Sequence, residues 1–207
     1  MNQAKQAHPP EPAGPADRAR ARTAPAPQRT LHTFVAYVEN VPGVLNRVTA
    51  LFRRRAYNID SLSVGRTETP GVSRMTIVLD ADPGTARLLE ANLYKLVNVL
   101  RVEDVSAEPT VMRDLALIKV RADADTRPKI LQICEVFKAR VVDMALEALI
   151  VEIASTEDKL QGLIEVLRPF GIIEMVRTGS IAMTRGKEPI TVHPHFVSAR
   201  VPTNRIF

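Results

Sequence analysis

The chain has 207 residues, 45% of them apolar, with one cysteine and no tryptophan. That allows one large or two small domains with an aliphatic core, and excludes an internal disulfide framework. No run approaches the roughly 18 apolar residues of a membrane span, the first residues lack the apolar stretch of a secretory signal, and the net charge of +5 invites a nucleic-acid partner.

Residues 1–29 are rich in Pro, Ala and Arg with almost no large apolar side chain, and they carry five basic and two acidic residues. Such a segment cannot bury enough surface to offset its ordering entropy and is expected to be disordered. Residues 187–207 form a polar tail with three basic residues and one acidic one. Residues 30–186 therefore hold 20 of each sign and are neutral. The basic character belongs to the tails, which weakens the nucleic-acid reading.

From Leu31 the pattern is regular. "LHTFVAYVE" is expected to be a strand, and Val44, Leu45, Val48, Leu51 and Phe52 form a helical stripe. "NIDSLSVGRT" and "VSRMTIVLDA" read as strands joined through a turn at Glu68-Thr69-Pro70-Gly71, the first opening on Asn58-Ile59-Asp60. Asp82-Pro83 has the cap-then-proline order of a helix start, followed by Leu89, Leu93, Leu96 and Val97 on one stripe. "VLRVEDVSA" closes a β-α-β-β-α-β unit.

The same order then repeats. "RDLALIKVRA" is a strand, and Ile130 to Phe137 a helix started near Asp125 and Pro128. "RVVDMALEA" and "LIVEIAST" are adjacent strands; Leu160, Leu163, Ile164 and Leu167 make the last helical stripe; "IIEMVRTGSIAMTR" is the final strand. The expected fold is α+β, two tandem ferredoxin-like domains over residues 30–108 and 109–186. "FVAYV" and "MTIVL" lack strict alternation, so the helix-free face of the first sheet needs a cover, either in cis or in a homodimer.

Catalytic patterns are scarce. His8, His193 and His195 fall in the tails and His32 opens the first strand, so no His, Cys and carboxylate set has metal-ligand spacing. There is no nucleophile elbow, P-loop or dinucleotide fingerprint. The pairs Asp80/Asp82 and Asp123/Asp125 sit at helix starts, where capping accounts for them. Cys134 shares a helical face with Ile130, Ile133 and Phe137 and reads as core. An RNA-recognition reading of the same topology needs stacking aromatics on the sheet, and "VSRMTIVLD" has none; Phe34 and Tyr37 face opposite sides.

The loop between the first strand and helix is the one feature with ligand chemistry. Asn40-Val41-Pro42-Gly43 delivers the chain to a helix N-terminus, whose free N–H groups and positive dipole end attract a carboxylate. Gly43 admits close approach of a ligand, Asn40 and Asn58 offer donors and acceptors, and Val44, Leu45 and Ile59 are suited to a short aliphatic side chain. The same residues also serve as ordinary turn formers.

The run "VENVPGVLNRVTALFRRRAYNIDSLSVGRTETPGVSRMTIVL", followed by "LYKLVNVLRVEDV", closely resembles the small regulatory subunit of acetohydroxyacid synthase, also called acetolactate synthase. The likeness rests on Glu39-Asn40, Gly43, Leu45, Arg47-Val48, Tyr57-Asn58-Ile59, Ser61-Leu62, Ser73 to Thr76, Lys95-Leu96-Val97 and Leu100-Arg101-Val102, and extends more weakly to "RTGSIAMTRG". It implies that the first unit is an ACT domain pairing with another copy, and that the chain does no chemistry. It implies a regulator that activates a separate catalytic subunit, on which thiamine diphosphate, Mg and FAD are expected; the single cysteine suits a cytoplasmic location. It also implies feedback inhibition by valine in branched-chain amino-acid biosynthesis. Asn40, Gly43, Val44 and Leu45 would hold the amino acid from one chain, and Asn58 and Ile59 from its partner. A free-standing amino-acid-sensing regulator is the alternative. Ala56 departs from the family's usual glycine, so a backbone requiring positive φ there would be strained.

Overall fold

A computed structural model describes residues 29–186; the readings of the tails, with His8, His193 and His195, lie outside the described residues. The first unit contains β1 (Thr30–Glu39), α1 (Val44–Arg54), β2 (Ser61–Arg66), β3 (Val72–Ala81), α2 (Pro83–Tyr94) and β4 (Val99–Asp104). The second contains β5 (Thr110–Arg121), α3 (Arg127–Phe137), β6 (Arg140–Met144), β7 (Ala148–Ser155), α4 (Glu157–Leu167), β8 (Ile172–Arg177) and β9 (Ile181–Thr184). The strand orders are β2-β3-β1-β4 and β6-β7-β5-β8, antiparallel throughout. This is the expected pair of β-α-β-β-α-β units.

Each helix packs its apolar stripe on one face of its sheet. Val44, Val48, Leu51 and Phe52 of α1 and Leu89 and Leu93 of α2 close over Phe34, Ala36, Met75 and Ile77. In the second unit Ile130, Cys134, Leu160, Leu163, Ile164 and Leu167 close over Ile118, Val120, Leu149 and Val151. Burial raises the Cys134 thiol above its ordinary pKa, as suits a packed rather than a reactive group. Two stripe members fall outside: Leu45 is 44% exposed on the outer side of α1, and Val97 is 71% exposed because α2 has already ended at Tyr94.

Boundaries also moved. The strand expected to open at Asn58 starts at Ser61, because Ala56 has φ 54° and turns the chain sharply first. The helix expected near Asp125 starts at Arg127, and Asp123 is the carboxylate that accepts the N–H groups of Asp125 and Thr126. The last strand is broken in two. Thr178-Gly179-Ser180 carries the chain off the β8 edge, and β9 then pairs with the start of β5.

That break answers the question of cover. Val35, Thr33, Thr76 and Val78 face away from the helices yet are buried. Val35 clusters with Val105, Ala182, Tyr37 and Met112, so part of the second unit lies across this face in cis. Arg74 spans the boundary: its guanidinium donates to Ala182 O and to Tyr37 Oη and lies 5.7 Å from the Tyr37 ring centre.

α1 ends in a Schellman motif. Tyr57 N donates to Phe52 O at 3.0 Å, Ala56 N to Arg53 O at 3.2 Å, and the Tyr57 and Phe52 rings meet edge to face. The left-handed position belongs to Ala56, whose Cβ costs about 1 kcal/mol or more there. Part of that is offset in Gly by its larger unfolded-state entropy. Ala56→Gly is therefore expected to stabilise the chain, by about 0.5–1 kcal/mol, in a denaturant melt; a loss of stability would contradict the assigned backbone.

Candidate functional site

The chain leaves β1 through a tight loop. Asn40 N donates to Gly71 O at 2.7 Å and Val41 N to Glu39 O at 3.0 Å, fixing the backbone and leaving the Asn40 side chain exposed. Gly43 has φ 85° and nothing lies within 4 Å of where a Cβ would be, so the space above it is open. It is the N-cap of α1, which has neither a side-chain cap nor an acidic residue in its first turn. The other helices are supplied. Asp82 accepts from Gly84 N and Thr85 N before α2, Asp123 collects N–H groups before α3, and Glu157 and Asp158 open α4. The start of α1 is left with partial positive charge facing solvent.

A polar network holds this end rigid. The buried Asn98 side chain accepts from the Arg47 guanidinium and donates to the Glu39 carboxylate, while Glu39 N donates to Asn98 O at 2.9 Å. Glu39 and Arg47 stand in the quoted pattern, but no spacing rule connects them to Asn98; only the folded β4 approach brings the three together. Among the apolar candidates, Val44 is core, so toward a ligand it offers backbone alone. Leu45 and Val41 are half-exposed and Ile59 is partly buried against the core. Val41 was not singled out from the sequence, although its exposure beside Gly43 makes it as suitable as Leu45.

Asn58 and Ile59 are elsewhere. Asn58 Nδ2 donates weakly to Asp60 Oδ1 at 3.4 Å, and Asp60 N is anchored to Val78 O. These residues follow the C-terminal end of α1, whose 11 residues span about 16 Å. The sheet register agrees. Glu39 stands opposite Val72 and Ser61 opposite Val78, six residues apart on β3 or about 20 Å. One chain therefore does not bring its two asparagines to one small ligand.

The sequence comparisons align with this frame. Residues 34–101 match the family described as AHAS small subunit-like ACT domain, and residues 113–186 that described as small subunit of acetolactate synthase. An acetolactate synthase small subunit from Mycobacterium leprae is 45% identical over 159 residues, covering 77% of this chain and 94% of that one. A probable acetolactate synthase small subunit from Archaeoglobus fulgidus is 43% identical over 157 residues, covering 76% and 98%. The chain belongs to the acetolactate synthase small subunit family. The crystal structure of the acetolactate synthase small subunit from Thermotoga maritima superimposes with a TM-score of 0.71 at 38% identity, covering 77% of this chain and 99% of that one. Both family matches fall within residues 34–186, so the family likeness rests on the two sheet units.

Within this family member the acid pairs have structural roles. Asp82 is held below the usual carboxylate range chiefly by the Thr85 hydroxyl, which donates to Oδ2 at 2.6 Å, and by Thr85 N. Asp123 is lowered the same way by Thr126. Asp80 binds Arg29 at 3.0 Å. A carboxylate whose folded pKa is depressed contributes stability above its unfolded pKa, and that contribution fades as pH falls through the folded value. Asp82→Ala and Asp123→Ala are therefore expected to lower the melting temperature at pH 7 and to shrink the drop seen on acidification below about pH 4. Melts at pH 7 and pH 3 test this; an unchanged pH 7 midpoint would remove the capping role.

Proposed function

We propose that the chain is the regulatory subunit of acetolactate synthase: it activates a large catalytic subunit and makes it sensitive to valine, serving branched-chain amino-acid biosynthesis in the cytoplasm. Thiamine diphosphate, Mg and FAD belong to the catalytic subunit, and this chain contributes effector binding. The observation that carries the effector site is the separation of Asn40 and Asn58 by a whole helix.

β1 and β2 are both antiparallel to β3, so they run parallel to each other, and the β1–α1 loop lies at the end of the sheet where β2 finishes. β2 is an edge strand with Val64, Gly65 and Arg66 exposed. A second copy added antiparallel along β2 extends the sheet and satisfies its open backbone groups. That addition brings the partner copy's β2 start to the loop end of this chain. Asn40 and Gly43 of one copy then face Asn58 and Ile59 of the other. The uncapped α1 terminus takes the valine carboxylate, the asparagines hold its polar groups, and Leu45, Val41 and Ile59 enclose the isopropyl group.

Calorimetric titration with valine, using alanine as the smaller comparison, tests the site. Asn40→Ala and Asn58→Ala are each expected to weaken binding about tenfold, the loss of one or two hydrogen bonds to a charged ligand. An equimolar mixture of the two variants, allowed to exchange subunits, should regain parent-like affinity at about a quarter of the sites, because one of the two sites in a mixed dimer is intact. No recovery on mixing would defeat the shared site. Parent-like affinity in Asn58→Ala would remove the assignment outright.

A further inference from the structure

The passage from β8 to β9 makes an unusually close contact with the first unit. Gly179 lies so near β2 that a Cβ would stand 2.5 Å from Leu62 O and 2.8 Å from both the Leu62 carbonyl carbon and Ser61 Oγ. The obstructing atoms are chiefly backbone and cannot swing aside, so only glycine fits. Ser180 N donates to Ser61 Oγ at 2.7 Å. Ser180 also donates its hydroxyl to the buried Asp114 of β5, whose other oxygen accepts from Arg177 at 3.2 Å. Thr178 N donates to Leu115 O at 2.9 Å, and Thr178 Oγ1 accepts from Leu115 N at 3.0 Å. The three residues form a hook, bolted to β5 and resting on the start of β2.

The place where it rests is what matters. Ser61 is three residues from Asn58, and the intervening Asp60 is hydrogen-bonded to Val78 O of β3. Asn58 is thus joined to Ser61 by a connection of two residues, one of them tied to β3. Beside the hook the two units stand apart across a cleft of about 830 Å³, with Asp60, Ser61 and Leu62 on one wall and Thr156, Glu157 and Asp158 on the other. On that side the Ser61–Ser180 hydrogen bond and the Gly179–Leu62 approach are direct contacts between the start of β2 and the second unit.

We infer that Ser61, Gly179 and Ser180 are positioning residues that transmit occupancy of the effector site to the second unit, through Asp114 on β5. This rests on the assignment of Asn58 to the valine site and adds the route by which binding there is felt elsewhere. Coupling of this kind is a difference in contact energy between two arrangements of a linked element. Here the element is the start of β2, and the hook fixes its position relative to β5.

The test uses the full chain reconstituted with its large catalytic subunit. Ser61→Ala removes one hydrogen bond; Gly179→Ala forces the hook away from Leu62. For each, the valine Kd of the free small subunit is measured beside the ratio of enzyme activity without valine to that at saturating valine. Both variants are expected to bind valine within about threefold of the parent, while the inhibition ratio falls at least about threefold, more in Gly179→Ala. A merely structural contact would lower the melting temperature and leave the inhibition ratio at its parent value, which overturns the inference. So does equal weakening of binding and half-inhibition with full inhibition still reached. Ser61→Ala decides the matter alone if Gly179→Ala does not fold. Asn58→Ala in the same series separates the two readings. Parent-like valine binding in that variant defeats the site assignment, whereas weakened binding there with full inhibition in the hook variants defeats only the hook.

Discussion

The position of β3 between β1 and β2 constrains everything else. Because β3 is antiparallel to both neighbours, the chain that leaves β1 must travel the length of α1 before it re-enters the sheet. The two polar loops are thereby driven to opposite ends of the unit, about 20 Å apart. A compact amino acid is far smaller than that distance. The topology separates two loops that look contiguous in sequence, and the proposed pairing along the β2 edge is what would join them.

The second unit repeats the first in order but not in its connections. Its last strand does not stay on one sheet. Gly179 and Ser180 redirect it so that β9 pairs with the early part of β5 beside the helix-free face of the first unit. This explains why Thr76 and Val35 are buried on a face where an isolated four-stranded sheet would meet water. It also explains why the first unit's strands read as apolar on both sides. A cover supplied in cis leaves the β2 edge available for pairing.

Most of the architecture was legible because the helices and strands keep their own periods. Leu160, Leu163, Ile164 and Leu167 declared α4 without ambiguity, and Asp82-Pro83 marked the start of α2 to the residue. What stayed hidden was set by contacts distant in sequence. Leu45 fits the α1 stripe by spacing, yet its side of the helix meets no sheet. The break at residues 178–180 carries one glycine and no proline, and the contact that demands that glycine is with Leu62, more than a hundred positions away. The candidate site divided in the same manner. Asn40 and Gly43 are local turn chemistry that a sequence displays, whereas the Glu39, Asn98 and Arg47 network joins three segments that only the folded sheet brings together.

The rigidity of α1 has a consequence for how two effector sites in a pair would behave. At its start, Arg47 is tied through Asn98 to the end of β1; at its end, the Schellman turn and the Tyr57 ring lock the chain onto Phe52. With no proline or glycine inside it to kink it, α1 behaves as a strut between the two loops. In the shared-site arrangement, each copy's α1 begins at one site and leads into Asn58 at the other. In that arrangement the helix is the covalent path between the two proposed sites. Ala56 stands at the joint between α1 and Asn58, in a left-handed backbone that glycine would adopt at lower cost. An alanine there narrows the range of φ available to the joint and ties Asn58 more closely to the helix.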